Sequence, residues 1–240
     1  MKLNKSSILT NAHSNSKDVW DMYFGQLNKH FLSLIDPVPC YVISDKGANY
    51  PGHNFIIYYE NESYSEQYLK GLHHIETEFM FTMVDDMILY NNVNIDKMNS
   101  YISFLERTNY DFVRLIKSGD VTENNIEDDL YEISSKAAYL YSMQATIWKT
   151  NSLVKLYEFV DVPIIRKETM FGDACRELNI TGVCAYNGED QRGKSHFDSS
   201  VFPYIATALR AGRWDFRVYP DIFPRLFEDY NINPQIRGIR

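Results

Sequence analysis

Six consecutive residues, Phe79-Met80-Phe81-Thr82-Met83-Val84, are apolar but for one threonine, and Asp85-Asp86 follow at once. The run is too short for a membrane span and lacks the in-out alternation of a half-exposed strand. It reads as a β-strand covered on both faces, the pattern of a sheet with helices on either side. The first ~115 residues supply the layers that such a strand needs. Strands are expected at Ser6 to Asn11, Cys40 to Ser44, Asn54 to Tyr59 and Phe112 to Leu115. Between them, Trp20, Tyr23, Phe24, Leu27, Phe31, Leu34 and Ile35 share one face of a helix behind Ser16 as N-cap, stopped by Asp36-Pro37-Val38-Pro39. Ser63 and Glu66 have capping-box spacing for a second helix running to about Ile75. Ile95, Met98, Ile102 and Leu105 are in register for a third. Alternation of this kind predicts βαβ units: an α/β fold with a Rossmann-type mixed, mainly parallel sheet flanked by helices.

The second half, about 116–240, is less regular. Asp120 to Glu132 holds six acidic residues and no basic one, which reads as a solvated loop or as a flap over a cleft. A strand crossing the sheet is expected over Tyr139 to Trp148. Helices are expected at Ser152 to Phe159, Met170 to Leu178, Ser199 to Ala211 and Asp221 to Tyr230, with an irregular tail from Asn231. No repeat or low-complexity tract divides the chain, so residues 1–240 are expected to form a single domain.

Composition narrows the class. At 240 residues, 45% hydrophobic and 15% aromatic, the chain is too apolar for disorder and long enough to bury a core without disulfides. Cys40, Cys175 and Cys184 are odd in number and fit no zinc or CxxC spacing, which suggests reduced thiols in a cytoplasmic protein. No apolar run approaches the roughly 20 residues of a membrane helix. The formal charge is 24 − 32 = −8, which argues against nucleic acid, whose phosphates dominate that kind of affinity.

In open parallel sheets, ligands bind at the carboxyl ends of the strands. Three expected strands end in polar residues: Thr10-Asn11-Ala12-His13, Ser44-Asp45 and Asp85-Asp86. Neither GxGxxG nor GxSxG occurs, which excludes the common dinucleotide and serine-hydrolase signatures. Adjacent carboxylates repel unless solvent or a cation relieves them. Asp85-Asp86 is therefore either a cap with a solvated neighbour or a seat for a hard divalent cation, which takes oxygen ligands and often phosphate as well. Tyr139, Tyr141, Trp148, Trp214 and Tyr219 suit either core packing or the apolar faces of sugars.

The stretch from Tyr64 through Gly71 and Glu78-Phe79 to Val84-Asp85-Asp86 resembles the core of the family 2-like, GT-A-type glycosyltransferases. Phe171-Gly172-Asp173-Ala174-Cys175-Arg176-Glu177-Leu178, with Gly182 beyond it, is similar to the segment bearing that family's catalytic acid. Phe202 to Asp215, with Tyr230-Asn231-Ile232 and Arg237-Gly238, resembles the family's C-terminal region. Val84 stands at the first position of the DxD motif, and Tyr68 where many relatives have arginine.

The resemblance implies a glycosyltransferase that moves a sugar from a nucleotide-diphosphate donor to a hydroxyl of a glycan or lipid-linked glycan, in glycan or polysaccharide synthesis. Residues 1–115 would form its nucleotide-binding half and residues 116–240 its acceptor half. A lipid-linked acceptor would bring the chain to the inner face of the membrane. On this reading Thr10 and Asn11 line the nucleotide pocket and Asp45 sits near the base or ribose. Asp86 binds Mn²⁺ or Mg²⁺, and Asp85 replaces the missing carboxylate or contacts sugar or ribose. Asp173 is the general base of an inverting reaction, with Glu168 its rival. His196 completes the metal shell, and Arg192 and Lys194 hold the diphosphate. Two other readings keep the scaffold: a non-catalytic carbohydrate- or nucleotide-binding module, supported by Val84, and a sugar nucleotidyltransferase, whose glycine-rich, lysine-bearing start is missing after the first strand.

Overall fold

The computed structural model describes residues 2–3, 5–118, 121–162 and 167–240. Asp120, at the head of the acidic stretch, lies outside them. Nine strands form one sheet: β1 (Ser6–Asn11), β2 (Cys40–Ser44), β3 (Asn54–Ile57), β4 (Phe79–Val84), β5 (Phe112–Arg114), β6 (Val121–Glu127), β7 (Leu130–Ile133), β8 (Thr146–Lys149) and β9 (Gly182–Ala185). Their order across the sheet is β3-β2-β1-β4-β8-β5-β9-β7-β6. Seven run one way; β8, inserted between β4 and β5, and β7 run against them. The sheet is thus mixed and mainly parallel.

Alternate side chains of β4 enter opposite cores. Phe79, Phe81 and Met83 join the layer built on α1 (Lys17–His30), α3 (Ile95–Arg107) and the C-terminal segment. Met80 joins the layer built on α2 (Tyr64–Leu72), α4 (Thr150–Phe159) and α5 (Lys167–Glu177). This two-sided covering is why the strand's sequence shows no alternation.

Ser63 caps α2 as its sequence implies: its hydroxyl accepts from Glu66 N, and the Glu66 carboxylate accepts from Ser63 N. Two glycines set how closely the layers approach. A Cβ on Gly71 would lie 2.3 Å from Ile43 Cγ2, so only glycine lets α2 rest on β2. A Cβ on Gly182 would lie 2.2 Å from the Phe112 ring, which is packed on Trp148 with centroids 4.4 Å apart. Gly182→Ala must push that pair aside and should cost about 1–3 kcal/mol, read as a lower urea midpoint.

Several expectations are revised. The helix expected at Ser199 to Ala211 is instead extended: Tyr204–Ile205 pairs with Ile88–Leu89, and Leu209–Arg210 pairs with Arg213–Trp214. Pro203 lacks the N–H a helix needs, and Phe202, Tyr204, Ile205, Ala206 and Ala208 are all buried, so no solvent face exists for a helix to present. Of Tyr139 to Trp148, only the end from Thr146 enters the sheet. The acidic stretch is neither a loop nor a flap but the edge hairpin β6–β7, in which Asp129 is buried and accepts from Tyr101 Oη (2.7 Å) and Lys97 Nζ (3.2 Å). All three cysteines are free and buried, and burial pushes each thiol up to about 12, so none is a nucleophile at neutral pH.

Candidate active site

Because β1, β2 and β4 are parallel neighbours, their carboxyl ends meet on one edge: Asn11 pairs with Ile43 on one side and with Val84 on the other. Two adjoining lobes open there, of about 390 Å³ and about 580 Å³, and both are lined by Val84 and Met143. The site is therefore one cleft, divided where the strand β4 ends.

The smaller lobe is lined by Asn11, Ala12, His13, Tyr58, Glu60, Tyr64, Gln67 and Asp85. Asn11 Nδ2 donates to Tyr64 Oη (3.0 Å). Thr10, the residue before it, points the other way: it is 1% exposed, bonds Tyr23 Oη at 2.8 Å, and is not part of the lining. This follows from strand alternation, which sends neighbours to opposite faces.

Asp45 stands behind the lobe and accepts from Ser14 N (2.7 Å) and Ser14 Oγ (2.5 Å). Burial pushes its pKa up, but the Ser14 donors and the His13 charge together outweigh that and hold it below the usual carboxylate value. Asp45 thus orders the Ser14–Ser16 turn that leads into α1. Ser16 stands at the N-cap position but makes no side-chain cap bond. Beside it, His13 Nδ1 accepts from Asn15 N while His13 Nε2 lies 3.3 Å from Glu60. Among the described residues, His13, Asp45 and Glu60 are the group that brings three metal-type ligand atoms within 4.8 Å of one another. Sequence reasoning missed Glu60; its signal was an acid just past the third expected strand.

Asp85 is 4% exposed and its Oδ2 accepts from Trp20 Nε1 (2.8 Å) and His13 N (3.2 Å). Burial, reinforced by the Asp86 charge, pushes its pKa up to about 7 against those two donors. It faces the smaller lobe, whereas Asp86 faces the larger.

The larger lobe collects chemistry from distant parts of the chain: Asp86, Ser142 to Gln144, Glu168, Lys194, His196 and Arg210. Asp86 is fixed by the returning C-terminal segment, since Leu209 N donates to its Oδ2 (3.2 Å) and Ala208 N to its carbonyl (3.1 Å). Glu168, in the first turn of α5, accepts from Met143 N (2.9 Å) and Ser142 Oγ (3.3 Å). Asp173, one and a half turns along the same helix, is outside the cleft, exposed and paired with Arg176 at 2.5 Å. Arg192 is likewise elsewhere, held by Asp198 and Asp221. Arg210 lines the larger lobe instead, its Nε 3.1 Å from the buried Asp215. Gln144 accepts from Tyr204 Oη (2.8 Å) and presents its amide to His196 Nε2 (3.4 Å). Burial first, then the Arg210 charge, holds the His196 pKa below its ordinary value, so the imidazole is neutral at pH 7.

Asp86 and His196 share the larger lobe, an oxygen and a neutral nitrogen suited to Mn²⁺ and, through the carboxylate, to Mg²⁺. Asp85, already bonded by Trp20 and His13, does not add a second carboxylate there. One carboxylate and one imidazole would leave a divalent cation there to take its remaining ligands from phosphate oxygens and water.

No protein-family model and no curated protein matches the sequence. Solved structures do share its fold. A UDP-glucose pyrophosphorylase complexed with UDP-glucose superposes with a TM-score of 0.51 at 9% identity, covering 76% of this chain and 90% of that one. TarS of S. aureus superposes with a TM-score of 0.50 at 12% identity, covering 97% of this chain; the match spans 41% of TarS. No helix among the described residues is long and apolar enough to cross a membrane. The chain has the GT-A-like fold, a mixed and mainly parallel sheet between helical layers, which these nucleotide-sugar enzymes share.

Proposed function

We propose that this protein is a glycosyltransferase that transfers a sugar from a nucleoside diphosphate to an acceptor hydroxyl. The observation that carries the reading is the two-lobed cleft in which Asp86 and Glu168 line the same, larger lobe. The nucleoside occupies the smaller lobe, against Asn11, Asp85 and Glu60, where carboxylate and amide oxygens meet ribose hydroxyls and base N–H groups. The diphosphate lies where the lobes join, and the sugar projects into the larger one. Arg210 and Lys194 supply positive charge to the phosphates in an otherwise acidic protein. Asp86 and His196 would hold Mn²⁺ or Mg²⁺, which when bound would supply Lewis-acid neutralisation of the departing diphosphate's charge. Glu168 takes the proton of the acceptor hydroxyl as it attacks the anomeric carbon, which gives inversion.

A sugar nucleotidyltransferase is the second reading, favoured by the pyrophosphorylase likeness in fold. Against it, the chain leaves β1 through Asn11-Ala12-His13 straight into the Ser14–Ser16 turn, with no glycine-rich, lysine-bearing loop. The experiment is incubation with a panel of UDP-, GDP- and dTDP-sugars plus Mn²⁺. Slow release of the nucleoside diphosphate is expected, and Asp86→Asn should lower that rate by at least about 100-fold while the thermal melt is retained. Formation of nucleotide sugar from nucleoside triphosphate and sugar phosphate would establish the nucleotidyltransferase instead. Nucleotide binding without either reaction would leave a binding module.

A further inference from the structure

Of the five aromatic residues that the sequence offers as sugar platforms, four belong to the core: Tyr141, Trp148, Trp214 and Tyr219 are each 4% exposed or less. Tyr139 differs. It is 51% exposed and lines the larger lobe, together with Asp86 and Glu168. The other large hydrophobic side chains exposed among the described residues, Ile57, Tyr59, Phe159, Ile236 and Ile239, line neither lobe.

The backbone under Tyr139 is held firmly. Arg114, at the end of β5 and 1% exposed, donates from Nη2 to the carbonyls of Tyr139 (2.6 Å) and Leu140 (3.1 Å), and from Nη1 to Ser118 Oγ (2.6 Å). Three and four residues further on, Ser142 Oγ and Met143 N hold the Glu168 carboxylate. One short, anchored segment therefore presents an aromatic ring to the cleft and positions its candidate base.

We propose that Tyr139 is the stacking platform for a pyranose ring of the acceptor, so that the acceptor is a carbohydrate. A pyranose offers a face of C–H groups that an exposed aromatic ring covers well, while its hydroxyls stay available to carboxylates. Pyrophosphate has no such face. The role of the bound sugar as acceptor rests on the glycosyltransferase reading, but the binding step itself is measurable without turnover.

The test is ligand-observed NMR on the full chain with methyl β-D-glucopyranoside, methyl β-D-galactopyranoside and methyl N-acetyl-β-D-glucosaminide, each with and without UDP. At least one should bind the native protein. Tyr139→Ala should weaken that binding roughly 5- to 10-fold, and Tyr139→Trp should restore it. Because the side chain is exposed, the alanine variant should melt like the native protein, which separates lost stacking from lost folding. Equal binding by native protein and Tyr139→Ala would overturn the proposal, as would no binding of any of the three glycosides. Donor hydrolysis without acceptor reports on the parent reading alone. Glycoside binding that depends on Tyr139 in a chain that hydrolyses no nucleotide sugar would keep the platform and remove the transferase.

Discussion

Replacing Glu168 with glutamine should lower transfer to an acceptor by about 10²–10⁴-fold, the usual contribution of a positioned general base. Glutamine keeps the shape of the side chain and an oxygen to accept from Met143 N and Ser142 Oγ, so the 142–144 segment should stay in place. What it removes is the ability to take a proton. Asp173→Asn, made on the same helix, should change the rate by no more than about threefold, because that carboxylate faces solvent and pairs with Arg176. The comparison is a steady-state assay of the three proteins at equal donor and acceptor concentration. A Glu168→Gln protein with native turnover would remove Glu168 from the chemistry, and a large loss in Asp173→Asn would return the role to Asp173.

Asp85→Asn should stabilise the protein at pH 8, by on the order of 2–4 kcal/mol, and by clearly less at pH 5. In the folded chain the Asp85 carboxyl holds its proton up to about pH 7, whereas its unperturbed value is 3.8. Between those values the folded form binds one proton that the unfolded form has lost. Stability therefore falls as pH rises from about 4 to about 7 and levels off above. Asparagine, which never ionises, removes that loss, and its oxygen can still accept from Trp20 Nε1. Urea titrations at the two pH values measure the difference, and an equal gain at both would contradict the assignment of the buried carboxyl as the source. A side chain that costs this much at neutral pH lines the smaller lobe, the proposed nucleoside site, so on that reading the same substitution should also weaken nucleotide binding. Stability and ligand affinity would then move in opposite directions.

Much of the scaffold was legible because local signals there agree. The Ser63–Glu66 capping box, the unbroken apolar run of β4 and the 3.6-residue periodicity of α3 each name their element from a few neighbours. The carboxyl-end rule then located Asn11 and Asp85-Asp86 at the cleft, since parallel strands must end on one edge. The same rule could not separate Thr10 from Asn11 until the register fixed which face each residue takes.

Elsewhere the local signal was outweighed by packing. Residues 202–208 have a helix-compatible composition, yet burial on every side and Pro203 keep them extended, and only in that form do Ala208 and Leu209 reach Asp86. Asp173 and Glu168 are both acids near the start of a helix; the side that α5 turns toward the 142–144 segment brings in one and leaves out the other. Arg192 and Arg210 are both arginines in a polar stretch, and their carboxylate partners, Asp198 and Asp221 for one and Asp215 for the other, decide which of them borders the cleft.

Composition and periodicity alone thus establish an α/β sheet with carboxylates at its strand ends, because burial patterns and capping are short-range and written in adjacent residues. The identity of the base candidate, the cationic side chain of the cleft and the exposed Tyr139 depend on contacts between residues 25 to 123 positions apart, as in Met143 with Glu168, Arg114 with Tyr139 and Asp86 with Leu209. Such pairings arise from how the layers pack, which no local pattern encodes.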